Sequence, residues 1–158
     1  MMRSETQRLR LAYLSPLPPE RSGISDYSAE LIPELYRYYD IDVVVDQETI
    51  SDQWIIDHCS IIDVQTFRDN HTDYDRVLYH FGNSQFHSYM FALLLEIPGV
   101  VVLHDFYLSG VINHIATLNR KDHSLENELL YSHGDTPFNN DDFDLITEYP
   151  GNKKVLDY

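Results

Sequence analysis

The 158 residues contain a single cysteine, Cys59, so no disulfide can form within the chain. That fits a reducing, cytoplasmic setting. Positive charge is scarce too: 11 Lys and Arg stand against 26 Asp and Glu, a formal net charge of −15. An acidic chain with no basic run suits neither a nucleic-acid backbone nor an anionic membrane. A phosphate-bearing ligand would need backbone N–H groups, or a second domain, to supply positive potential. No apolar stretch reaches the roughly 18 residues of a transmembrane segment, and Leu9–Leu14 is too short for the core of a signal peptide. The sequence shows no internal repeat and no low-complexity segment.

Several motifs are missing. There is no G-x-G-x-x-G and no G-x-x-x-x-G-K-[ST], which removes the dinucleotide fingerprint and the Walker loop. The absence of G-x-S-x-G leaves a serine hydrolase without its nucleophile turn. Eight histidines invite a metal site. However, His80 and His87, like His104 and His114, miss the spacing of helix-borne ligands, and neither Cys-x-x-Cys nor His-Glu-x-x-His occurs. No metal and no cofactor is expected. Cys59 reads as structural rather than nucleophilic.

What is present is an alternation of short apolar runs with helical periodicity. Met1–Arg8 reads as a flexible tail, and residues 9–158 as one domain, since this length and 43% hydrophobic content support one core and not comfortably two. Leu9–Leu14 is the first expected strand. Ser15–Gly23, with three prolines, is too proline-rich for a helix or a central strand. Tyr27, Leu31, Leu35 and Tyr38 predict a helix over Ser25–Tyr39, with Pro33 in an early turn or at a kink. Tyr36, Tyr38 and Tyr39 would then line its end. Ile41–Val45 is a second strand. Short helices are expected around Trp54–Ile56 and Val64–Arg68, with a third strand at Ser60–Val64 between them. Arg76–Phe81 is a further strand, broken by Gly82-Asn83-Ser84. A helical face follows in Phe86, Met90, Leu93, Leu94 and Ile97. Val100–Leu103, apolar on both faces, suits a strand buried in the middle of a parallel sheet. Helices are expected at Leu108–Leu118 and Glu126–Tyr131, a loop at Gly134–Asp142 and a short helical piece at Phe143–Glu148. The repeated strand–helix order predicts an α/β fold: a Rossmann-like, three-layer parallel sheet with helices on both faces.

In such sheets ligands sit beyond the carboxyl ends of the strands. Three stretches occupy that edge. The first is the loop ending at Gly23, where a missing Cβ and the start of a helix would receive a phosphate or a sugar hydroxyl, or form an ordinary turn. The second is Gly82-Asn83, where the Asn83 amide would read a hydroxyl, or Asn83 or Ser84 would cap the next helix. The third is His104-Asp105, suited to orienting a substrate or to acid–base chemistry, or simply capping a buried strand. Tyr27 and Tyr107 lie near the same edge, for stacking on a sugar face or for packing. His58, His71, His123 and His133 read as surface residues.

Taken together, Leu14–Leu31 (LSPLPPERSGISDYSAEL), Tyr79–Ser84 (YHFGNS) and Val100–Asp105 (VVVLHD) resemble the N-terminal domain of the retaining GT-B glycosyltransferases, the group 1 or family 4 class. The closing Tyr149–Tyr158 is similar to the helix leading into that family's next core strand. The resemblance implies transfer of a sugar from a nucleotide diphosphate sugar to a glycan or lipid-linked acceptor, with retention and without a metal. It puts Gly23 and Ile24 near the donor phosphates or the acceptor, Asp26 and Tyr27 toward the cleft, Gly82 and Asn83 on the acceptor side, and His104 with Asp105 near the transferred sugar. The family's C-terminal domain, which binds most of the donor, has no counterpart here. The chain is thus expected to be an incomplete half of the fold, inactive alone and open to self-association through its unfinished sheet. The alternative is a stand-alone α/β module that binds a small ligand or a protein without catalysis.

Overall fold

A computed structural model describes residues 8–106 and 108–119. Five strands, Leu9–Leu14 (β1), Tyr39–Val45 (β2), Ser60–Asp63 (β3), Arg76–Phe81 (β4) and Val100–Leu103 (β5), form one all-parallel sheet in the order β3-β2-β1-β4-β5. The helices are Gly23–Leu35 (α1), Gln53–His58 (α2), Val64–Asn70 (α3), Ser88–Glu96 (α4) and Ser109–Asn119 (α5). The fold class is therefore α/β and Rossmann-like. Among the described residues no helix is long and apolar enough to cross a membrane.

The pleat sorts the side chains into two cores. Along β1, Leu11 and Tyr13 point to one face with Ile41, Val43 and Val45 of β2, where Ile32 of α1 and Ile55 of α2 cover them. Ala12 and Leu14 point to the other with Val44, Tyr79 and Phe81, under Phe67 of α3 and Met90 and Leu93 of α4. Each fully buried aliphatic or aromatic side chain contributes about 1.5–3 kcal/mol relative to exposure. The central strands are apolar on both faces because both are covered.

Helix starts follow from single side chains. Ser22 Oγ accepts the Ile24 N–H at 3.2 Å, Asp52 Oδ1 the Ile55 N–H at 3.0 Å, and Asp63 Oδ1 the Thr66 N–H at 2.7 Å. Satisfying one otherwise orphaned N–H is what lets helices as short as α2 and α3 begin. At the amino ends of the strands, Arg10 pairs with Asp42 at 2.7 Å and Tyr74 donates to the same carboxylate at 2.7 Å.

Four expectations are corrected. The helix predicted to run to Tyr39 ends at Leu35, and Tyr39 begins β2 opposite Leu9. Pro33, expected in an early turn or at a kink, lies in the last turn of α1, where the N–H it lacks costs one bond near the helix's end. Among the described residues β5 is an edge strand and not the central one expected. Among the described residues it pairs with β4 alone, and Val100, Val101 and Leu103 are 58%, 41% and 49% exposed. A run apolar on both faces looks the same whether its outer neighbour is present or not. Arg8, assigned to the tail, instead pairs with Asp40 at 3.4 Å and donates to the Tyr39 carbonyl. The expected elements at Glu126–Tyr131, Gly134–Asp142, Phe143–Glu148 and Tyr149–Tyr158, together with Tyr107, His123 and His133, lie outside the described residues. So do tail residues 1–7.

The chain divides into two compact units, Met1–Gly82 with Tyr89–His104, and Asn83–Ser88 with Asp105–Tyr158. The first holds the sheet and α1 to α3 with nearly all of α4. The described part of the second holds α5 and the segment that caps it.

Candidate functional site

The strand order reverses between β1 and β4. α1 leaves β1 toward one face of the sheet, and Met90 and Leu93 of α4 pack on the other. Connections diverging from neighbouring strands leave a crevice at their carboxyl ends, the usual ligand position in this architecture.

The register explains what gathers there. Tyr13 of β1 is opposite Leu78 of β4, so His80, two residues on, points to the same face as Tyr13. His80 is opposite Val102 of β5, so His104, again two residues on, joins them. The rings of Tyr13 and His80 stack with centroids 4.6 Å apart. His80 Nδ1 and His104 Nε2 are 2.8 Å apart. The Tyr27 ring, from α1, meets His104 edge-on at 4.9 Å. Tyr13 and His80 are fully buried, His104 is half-buried and Tyr27 is 45% exposed. Burial pushes the Tyr13 phenol well above its ordinary ionisation range.

Gly23 begins α1, one turn before Tyr27. A Cβ built there would meet nothing within 4 Å, so the fold itself does not demand glycine at this position. The loop before it is held from below. Gln47 bonds both the N–H and the carbonyl of Leu17 at 2.9 Å. Ser28 Oγ takes Tyr13 OH at 3.0 Å and lies 2.7 Å from Ser15 Oγ. Ser25 Oγ, buried in the first turn of α1, has no hydrogen-bond partner among the described residues.

The expected site residues thus divide. Gly23, Tyr27 and His104 belong to the first unit, at the carboxyl end of its strands, and Asp26 is exposed in the first turn of α1. Ile24 offers little: its side chain is buried and its N–H is taken by Ser22. Gly82 is buried at the end of β4. Asn83 and Asp105 have structural work within the second unit. Asp105 Oδ2 accepts the Asn83 N–H at 2.7 Å, and Asn83 Oδ1 accepts the N–H groups of Gly110 and Val111 at 2.6 and 3.2 Å. Asn83 therefore caps α5, not the helix that follows it in sequence, and the acceptor half of the amide expected to read a hydroxyl is already engaged. His80, Tyr13 and Gln47 were missed. For His80 the signal was partial: two expected strands each carry a histidine near the carboxyl end, but nothing in either records that they are neighbours in one register.

Other features do not converge on this edge. A cavity of about 360 Å³ lies at the amino ends of β4 and β5, beside Tyr74, Arg76, Glu96 and Gly99. Half-buried Cys59 has its thiol pushed up to about 11, chiefly by burial, which opposes a nucleophilic role. Among the described residues no three His, Cys, Asp or Glu side chains come together as a metal site would need. His58 and His71 are exposed, as expected, with His58 stacked on Trp54 at 4.3 Å. Comparison of the chain with protein-family models, curated proteins and solved structures gives no match.

Proposed function

We propose that the chain is the acceptor-side domain of a retaining glycosyltransferase that moves a sugar from a nucleotide diphosphate donor to an acceptor hydroxyl. The observation that carries the reading is the contact of Tyr27 with His104, an open helix start and a half-buried imidazole meeting over the carboxyl ends of a parallel sheet. In this reading the start of α1 at Gly23 receives a phosphate or sugar oxygen, favoured by the helix dipole and by the space where a side chain would stand. His104 hydrogen-bonds the donor sugar and holds it in a reactive pose. Tyr27 packs on a sugar face. The bond from the anomeric carbon to the donor phosphate oxygen breaks, and the bond to the acceptor oxygen forms. The nucleoside diphosphate leaves, and the acceptor hydroxyl gives its proton to the departing phosphate oxygen. Excluding water favours transfer over hydrolysis.

The test is a titration of the 158-residue chain with a panel of nucleoside diphosphate sugars and simple glycans, followed by amide chemical shifts. Perturbation centred on Gly23–Tyr27 and His104 is expected. A response confined to a longer chain that carries a nucleotide-sugar-binding domain also supports the reading. No perturbation in either chain, or perturbation centred on Arg76 and Gly99, overturns it. A stand-alone protein-binding module is the second reading, and the exposed apolar edge of β5 favours it. Protection of β5 amides by an unrelated protein, with no response to the sugars, would select it.

A further inference from the structure

Residues 16–19 read Pro-Leu-Pro-Pro, so Leu17 holds the only backbone N–H of that stretch. Gln47, two residues past the end of β2, receives it. Its Oε1 accepts the Leu17 N–H at 2.9 Å, and its Nε2 donates to the Leu17 carbonyl at 2.9 Å and to the Thr49 carbonyl at 2.8 Å. These partners are backbone groups with fixed roles, so the orientation of the amide is determined and both of its N–H hydrogens are used. The side chain stands in for the peptide group of a neighbouring strand. Close by, the Ser51 N–H donates to the Pro18 carbonyl at 2.8 Å. The Leu17 side chain is itself fully buried in the core with Ile41, Val43 and Ile55.

A run of hydrogen bonds leads from this clasp to α1. The Glu20 N–H donates to the Leu17 carbonyl and the Ser22 N–H to the Glu20 carbonyl, each at 3.0 Å. The Ser22 carbonyl accepts the N–H groups of Ser25 and Asp26, and Ser22 Oγ accepts that of Ile24. We infer that Gln47 is a positioning residue for the start of α1: by clasping Leu17 it fixes where Gly23 and the first turn stand, and it needs both halves of its amide to do so. Glutamate has the size but presents an oxygen where the Leu17 and Thr49 carbonyls need an N–H. The placement follows from the hydrogen bonds alone; its use by a sugar phosphate rests on the transferase reading. A loop that spends only part of its time in the receptive position binds in proportion more weakly.

The experiment compares amide exchange and amide shifts of the unliganded 158-residue chain with those of Gln47→Leu and Gln47→Glu. Each chain is then titrated with the nucleoside diphosphate sugar that perturbs the parent most. Both variants should speed exchange at Glu20 and Ser22 by about tenfold, the scale of one lost hydrogen bond. The Gly23–Tyr27 resonances should shift, while β1 and β2 keep their rates. Leu17 should lose protection in Gln47→Leu and keep it in Gln47→Glu, which retains the acceptor. Sugar affinity should fall by about tenfold in both. Parent-like rates at Glu20 and Ser22 in Gln47→Leu, an acceleration shared equally by β1 and β2, or an unchanged affinity beside a loosened loop would each overturn the inference. Should the leucine variant not fold, parent-like Glu20, Ser22 and Gly23 signals in Gln47→Glu would do the same. So would failure of both variants to fold, which makes Gln47 a residue of stability alone. Loss of every sugar response removes the transferase reading, while the exchange rates still decide the clasp.

Discussion

The Gly110 N–H donates to Asn83 Oδ1 at 2.6 Å across 27 residues of sequence, and the same contact leaves no room for a side chain on Gly110. A Cβ there would sit 2.9 Å from both the backbone oxygen and Oδ1 of Asn83. Asn83→Ala removes the cap of α5 and should cost about 1–2 kcal/mol. Asn83→Asp keeps the acceptor, adds negative charge at a helix N-terminus and should cost less. Gly110→Ala should cost about 1–3 kcal/mol, since overpacking against a backbone atom outweighs the gain in helix propensity. Chemical denaturation measures all three, and hydrogen exchange at Gly110 and Val111 reports the cap directly. Unchanged protection of those amides in Asn83→Ala would show that the oxygen is not holding the helix.

The bounds of β1, β4 and β5 are readable from sequence because runs rich in apolar residues end there at a proline, a glycine or a polar pair. The parallel architecture is readable because strands and helices alternate. Register and sheet order are not. Whether Val100–Leu103 lies inside the sheet or at its edge depends on which strand pairs with it, and nothing within those residues records that. The same limit hid the site. His104 is visible as a polar residue after an apolar run, but its bond to His80 exists only because β4 and β5 are neighbours in one register. Asn83 shows the opposite error: a residue type suited to a ligand or a nearby cap serves a cap 27 residues away, which local spacing does not reveal.

Gly23 separates folding from binding. An added Cβ meets nothing within 4 Å, so Gly23→Ala should leave stability unchanged or raise it by up to about 1 kcal/mol through helix propensity. If a nucleotide sugar approaches the start of α1, the same methyl occupies the space it needs, and affinity should fall. The measurement is a nucleotide-sugar titration of the two chains beside their unfolding curves. Equal affinities would remove Gly23 from the binding surface.

Alkali should unfold the chain in one step. Burial pushes the Tyr79 phenol up to about 12, and drives Tyr13, Tyr74 and Tyr89 upward as well. In the unfolded chain phenols ionise near about 10. Above that pH the unfolded state has given up protons that the native state still holds, so stability falls as pH rises. The contribution is full below about pH 10 and is lost on the way to about 12. The tyrosinate absorbance of these four phenols should therefore lag, then rise together with loss of the circular dichroism of the fold. Gradual ionisation of every tyrosine near pH 10 with the fold intact would contradict this.

Gly99 is the counterpart of Gly23, a glycine that packing does require. Its Cβ would lie 2.7 Å from the Val77 carbonyl oxygen and 2.8 Å from Tyr79 Cε2. Neither neighbour yields easily: Val77 O belongs to the β4 backbone, and the Tyr79 hydroxyl is tied to the Ile97 carbonyl at 2.7 Å. Gly99→Ala should therefore cost about 2–3 kcal/mol, against no loss for the same substitution at Gly23. The strain falls where β5 begins, and among the described residues β5 is held by β4 alone. Amide exchange should accelerate first in Val100–Leu103 and spread to β4 only near global unfolding. A denaturation midpoint unmoved by Gly99→Ala, or faster exchange confined to β1 and β2, would mean that the edge strand is not anchored at this close approach.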